Sequence, residues 1–206
     1  MKDERQKNAL ELLERLRYFL KDHIRQEVDF SSTEQARGVP PPPVQKPYPP
    51  DARQVELTKI GEWKGIKPVA VEKAIGDRES RRDFSGMPLT FDHLSFLLWA
   101  TQGIRQRLNA GTALRTVPSA GARHAFETYV CVLDVEDLEP GIYRYLPVEH
   151  RLLQCTKTEG LAGKIVEGAL GQGFAGRAAA TFAWTAIPRR MEWRYGLAAH
   201  KVIALD

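Results

Sequence analysis

Glu139-Pro140-Gly141-Ile142-Tyr143-Arg144-Tyr145-Leu146-Pro147-Val148-Glu149-His150-Arg151-Leu152-Leu153-Gln154-Cys155 reads as a β-hairpin with its turns attached. Glu139-Pro140-Gly141 is turn chemistry, since proline presets one turn dihedral and glycine accepts the other. Residues 142–146 and 151–155 are aliphatic and aromatic runs of strand length. They flank Pro147-Val148-Glu149-His150, a short connection rather than a crossover. Working backwards, residues 128–133 carry Tyr129, Val130 and Val132, the β-branched and aromatic content of a buried strand. Working forwards, residues 178–187 read as a second buried strand. Between and around these strands the pattern turns helical. Leu94, Leu97 and Leu98 form a stripe behind a Thr90 N-cap, with Asp92 in the first turn, where the helix dipole favours negative charge. Gly103 suits the C-terminus of that helix. Leu161, Ile165 and Ala169 mark another helix, with Thr158 as its expected cap. Residues 68–77 and 188–197 read as short helices, and residues 104–115 as a flexible loop. Helices and strands alternate irregularly around one antiparallel hairpin, which predicts an α+β fold and not a doubly wound parallel sheet.

The N-terminal third differs in kind. Residues 7–26 place Leu10, Leu13, Leu16, Leu20 and Ile24 at helical spacing between charges, an amphipathic helix within residues 1–30 whose stripe needs a partner surface. Gly38-Val39-Pro40-Pro41-Pro42-Pro43, then Pro47, Pro49 and Pro50, favour an extended path with few backbone donors. Residues 31–67 are therefore expected to be a proline-rich arm or linker, and residues 68–206 the globular domain. A docking motif for a proline-binding module is the alternative reading of the arm.

Composition excludes some classes. The chain has 206 residues, 43% of them hydrophobic, and a formal charge of +4. The basic excess fits an anionic cofactor as well as nucleic acid, and no basic stripe with interleaved aromatics supports the latter, so no nucleic-acid partner is expected. No apolar run approaches the roughly 20 residues of a membrane span, and the charged start lacks a signal-peptide core. Cys131 and Cys155 have no metal-type spacing and read as small core residues of a cytoplasmic protein. No G-x-G-x-x-G opens a helix after a strand, and no histidine is placed for a triad.

The chemistry-bearing stretch is Arg78-Glu79-Ser80-Arg81-Arg82-Asp83-Phe84, followed some forty residues later by Pro118-Ser119-Ala120-Gly121. Arginine keeps its charge in proteins, and its planar fork matches phosphate oxygens in pairs. The cluster suits an anionic cofactor; a solvated basic loop is the competing explanation.

Arg78-x-Ser80-x-Arg82-x-Phe84 resembles the opening signature of the FMN-dependent nitroreductase superfamily. Residues 97–103, 115–124, 127–130 and 140–145 resemble the SagB-type dehydrogenase branch. The resemblance implies a homodimeric nitroreductase-like sandwich, a central and mainly antiparallel sheet flanked by helices, with FMN between subunits. It implies that Arg78, Ser80 and Arg82 hold the FMN phosphate and ribityl chain, with Arg81 a surface charge. Pro118, Ser119, Ala120 and Gly121 would lie against the flavin ring, where small residues allow close backbone approach. The implied activity is ping-pong hydride transfer from a small-molecule donor, NAD(P)H among the candidates, to an unknown acceptor. Azoline-oxidising members carry a Lys-Tyr pair before a glycine. Here Trp193-Arg194-Tyr195-Gly196 stands in that place. Arginine is a poor base, so azoline oxidation is not expected, and Tyr195 remains as the candidate catalytic hydrogen-bonding group. The family pattern also continues past the position of Asp206, so this chain is expected to lack a C-terminal segment of the domain. A non-catalytic or weakly flavin-binding remnant acting as an interaction protein is the alternative function.

Overall fold

The computed structural model describes residues 2–206, with side chains from residue 4. Helix α1 (Lys2–Leu20) leads into 3-10 turns over Asp22–Glu27 and Phe30–Ser32. Strand β1 (Gln54–Glu56) and helices α2 (Val71–Asp77) and α3 (Phe91–Gln102) follow. Next come strands β2 (Ile104–Asn109), β3 (Thr112–Arg115), β4 (Phe126–Val132), β5 (Gly141–Leu146) and β6 (Arg151–Thr156). Helix α4 (Leu161–Gly168), strand β7 (Ala180–Ala186) and helices α5 (Arg189–Tyr195) and α6 (Ala199–Leu205) complete the order.

Five strands form one sheet in the order β1-β6-β5-β4-β7, every neighbouring pair antiparallel. The fold is thus mixed helix and antiparallel sheet, as the central hairpin predicted. Pairing of Val130 with Tyr143 and of Tyr145 with Leu152 fixes the faces. Because strand side chains alternate, Val130, Val132, Tyr143, Tyr145 and Leu152 share one face, and Leu94 and Leu98 of α3 pack on it. Helix α3 begins where expected: the Thr90 hydroxyl accepts from the His93 amide. It ends at Gly103, where a Cβ would lie 2.4 Å from the Trp99 ring.

The opposite face carries Glu127, Tyr129 and Arg144, and the proline-rich arm covers it. Lys46 donates its amide to Glu127, and Arg144 donates to the carbonyls of Lys46 and Pro47. Three more buried arginines grip the arm. Arg115 donates to the Val44 carbonyl, Arg123 to Pro42 and Arg190 to Pro43. Trp193 adds an indole N–H to the Val39 carbonyl at 2.7 Å. A run of prolines offers acceptors and no donors, so donor-only guanidiniums are its natural complement.

The structure corrects several expectations. Residues 104–115 are an antiparallel hairpin, β2 against β3, turned by Asn109, whose side chain accepts from the Gly111 amide. Gly160, in the left-handed region, precedes α4 in place of Thr158. Strand β7 is an edge strand whose Trp184 is half exposed, so its apolar content is not fully buried. Cys155 is exposed and Cys131 only partly buried. Helix α1 stops at Leu20, leaving Ile24 in the 3-10 turn, and its Leu10, Leu13, Leu16 and Leu20 are all exposed. The apolar residues of α2, Val71 and Ile75, are exposed as well.

Candidate functional site

The turn after β3 concentrates left-handed backbone. Gly121 (φ 60°), Ala122 (φ 53°) and His124 (φ 47°) all occupy the left-handed region, which costs non-glycine residues free energy. Tertiary contacts hold the turn. The Ser119 hydroxyl accepts from the His124 amide at 2.9 Å and donates to the Asp206 carboxylate, whose other oxygen accepts from the Ala120 amide at 3.0 Å. A Cβ on Gly121 would stand 2.7 Å from Arg194 Nε and 2.8 Å from the Tyr195 hydroxyl. The sequence placed Tyr195 and Pro118-Ser119-Ala120-Gly121 seventy residues apart; the fold brings them into contact. Arg194, Asp206 and His124 complete the group. Sequence reading missed the roles of these three because they depend on packing between distant elements.

A positive interior stands behind the turn. Arg115, Arg123, Arg144 and Arg190 are all nearly inaccessible, as is Glu127. Among the described residues, only the Arg190–Glu127 ion pair has both side chains at 1–2% exposure. Backbone carbonyls compensate the other guanidiniums. Burial, with Arg190 nearby, lowers Arg115 to about 10, still a cation at neutral pH. His124 is pushed down to about 4, first by burial and then by the Arg115 charge, so its ring is neutral.

A cleft of about 670 Å³ opens beside the turn, lined by Ala120, Tyr195, Lys201, Asp206 and residues of the N-terminal 3-10 segment. Arg78, Ser80 and Arg82 do not line it. They lie in an exposed stretch between α2 and α3. Arg81 is spent on Glu79 at 2.8 Å, whereas Arg82 donates to the Ser80 carbonyl and stacks over Phe174. Within one chain, the arginine cluster therefore does not share the cleft beside the Ser119–Gly121 turn.

A protein-family model for the nitroreductases matches residues 75–206, more than half of the chain. The chain belongs to the nitroreductase family. A provisionally named nitroreductase of Methanocaldococcus jannaschii is 34% identical over 109 residues, covering 53% of this chain and 50% of that relative. The crystal structure of a provisionally named nitroreductase from Ralstonia eutropha JMP134 superposes with a TM-score of 0.56 at 27% identity, over 81% of this chain and 73% of that one. One from Anabaena variabilis ATCC 29413 has a TM-score of 0.57 at 24% identity, over 76% of this chain and 32% of that one, a likeness of fold. This nitroreductase domain thus spans half the length of its curated relative and about a third of the Anabaena chain. Its N-terminal helix and proline-rich arm lie outside the family match. Among the described residues, no group of histidine, cysteine and carboxylate side chains is placed to hold a metal ion, and no helix is long and apolar enough to cross a membrane.

Proposed function

We propose that this domain is an FMN-dependent oxidoreductase of the SagB-type dehydrogenase branch, acting as a homodimer. The observation that carries the reading is the small-residue turn at Ser119–Gly121, locked in a left-handed conformation against Tyr195 and Arg194 and open to a cleft. Such a turn lets backbone approach a flat ring closely.

The residues suit the group. Arg78 makes no ion pair among the described residues, and Arg82 is held by a carbonyl and an aromatic ring rather than a carboxylate, so both guanidiniums are available to a phosphate. Ser80 adds a hydroxyl between them. The separation of this cradle from the turn fits a site shared between two copies, one supplying Arg78, Ser80 and Arg82 and the other Pro118, Ser119, Ala120 and Gly121.

Bound FMN would supply hydride transfer through its N5 atom, reduced by a small-molecule donor such as NAD(P)H and reoxidised by an acceptor in a ping-pong sequence. The chain's own residues orient and shield. The Ser119–Asp206 bond fixes the turn, the Tyr195 hydroxyl stands ready to donate to or accept from a ligand in the cleft, and Arg194 keeps a cation beside the turn for developing negative charge.

The test is a flavin spectrum of the purified chain, followed by FMN titration of wild type and the Arg78→Ala/Arg82→Ala double variant. Losing two charge-assisted contacts should cost about 3 kcal/mol or more, roughly a hundredfold or more in Kd. Equal affinity in the two proteins would mean that the phosphate lies elsewhere.

A further inference from the structure

The cleft beside the turn has a wall that the nitroreductase match does not include. Asp22, His23, Arg25 and Gln26 of the N-terminal 3-10 turn line it together with Phe30, alongside Ala120, Tyr195, Val202 and Leu205. A second, smaller cleft of about 250 Å³ abuts the first, and the two have only Phe30 and Tyr195 in common. These two residues therefore line both clefts. Phe30 is 47% exposed and lines both clefts, and no stacking between the Phe30 and Tyr195 rings occurs among the described residues. An exposed ring lining an open cleft offers a stacking surface to a planar ligand.

The wall is fastened from the domain side. Lys201 of α6 is 8% exposed, and its ammonium donates to the carbonyls of Phe19, at 3.1 Å, and Lys21, at 2.5 Å. These carbonyls belong to the C-terminal end of α1 and the residue after it, where helical carbonyls lack intrahelical partners and a cation is favoured. Among the described residues Lys201 has no carboxylate partner, and this contact compensates its burial. The segment that follows, from Asp22 to Phe30, is thereby pinned over the cleft.

We infer that the Asp22–Phe30 segment is the outer wall of the substrate site, with Phe30 as the specificity residue that stacks on a planar aromatic acceptor and Lys201 as the residue that positions the wall. The inference rests on the oxidoreductase reading for its reaction, and its test separates the two. Equilibrium binding of 4-nitrobenzyl alcohol is measured by calorimetry on the protein as isolated, which needs no turnover. Phe30→Ala should weaken binding about fivefold and Phe30→Tyr should restore it. Where flavin is bound, KM for the same probe should rise in Phe30→Ala with kcat and flavin content unchanged. Amide exchange of residues 19–30 should quicken in Lys201→Met and stay slow in Lys201→Arg, while residues 126–146 remain protected. Unchanged binding in Phe30→Ala, or unchanged exchange in Lys201→Met, would overturn the inference. A colourless protein that still shows both effects would instead leave the wall in place and remove the flavin reading.

Discussion

The Arg190 guanidinium lies 2.5 Å from the Glu127 carboxylate, with the two side chains 1% and 2% exposed. Arg190 also donates to the carbonyls of Pro43 and His124, and Glu127 accepts from the Lys46 amide. One pair therefore ties β4, α5, the strained turn and the proline-rich arm together. Glu127→Gln keeps the shape and removes the charge, leaving Arg190 buried among carbonyls and three other arginines. A loss of about 3–5 kcal/mol is expected in urea unfolding. A loss below about 1 kcal/mol would show that water reaches the pair.

His124 makes the fold sensitive to acid. Its folded-state pKa, about 4, lies below its ordinary value of 6.5 because burial and the Arg115 charge disfavour the imidazolium. Between those values the unfolded chain binds more protons than the native one, so stability falls as pH drops from 6.5 to 4 and levels off below. Burial depresses His150 in the same direction. His124→Asn removes one of the two sites, and asparagine tolerates the left-handed backbone. The variant should show a shallower decline of Tm between pH 6.5 and 4. An unaltered pH profile would assign the acid sensitivity to His150 and the carboxylates.

Trp193 anchors the arm at Val39. Its indole N–H reaches the Val39 carbonyl, and its ring lies 4.6 Å under the Arg123 guanidinium. Trp193→Phe keeps a ring for the cation and deletes the donor, at an expected cost of about 1 kcal/mol. The local consequence should be larger than the global one: tryptic cleavage after Arg37 should accelerate while the midpoint of unfolding moves little. Equal cleavage rates would mean that the indole N–H is not needed to hold the arm.

What the sequence disclosed and what it concealed divide along a physical line. Val130, Tyr143, Tyr145 and Leu152 were legible because they fall in apolar, β-branched and aromatic runs of strand length bounded by turn residues, and Thr90 and Gly103 because capping is local chemistry. The β2–β3 hairpin was missed because its buried positions are Ala113 and Arg115, and an arginine normally signals solvent. The same disguise hid the role of the four buried arginines: their partners are carbonyls of the arm, whose prolines signalled only an extended path. For the site, residue types pointed to Ser119–Gly121 and Tyr195 separately. Their contact, and the parts played by Arg194 and Asp206, arise from the packing of α5 and α6 against the turn.

That contact makes Gly121 the most informative single position. At φ 60° an alanine would pay for the left-handed backbone, roughly 1–2 kcal/mol. Its Cβ would also meet Arg194 Nε at 2.7 Å, Arg194 Cδ at 2.8 Å and the Tyr195 hydroxyl at 2.8 Å. These are ends of side chains, so the fold can relax, but only by moving Tyr195 and Arg194 away from the turn. Gly121→Ala should therefore lower stability modestly and, on the proposed flavoprotein reading, weaken FMN binding and turnover more strongly than the stability loss accounts for. Ser119→Ala provides the comparison, since it removes the bonds to Asp206 and the His124 amide while leaving the Gly121 contact intact. If the turn serves the site through its contact with Tyr195, the glycine variant should be the more damaging in flavin titration at matched stability. The opposite ranking would shift the burden from the Tyr195 contact to the Ser119–Asp206 bond.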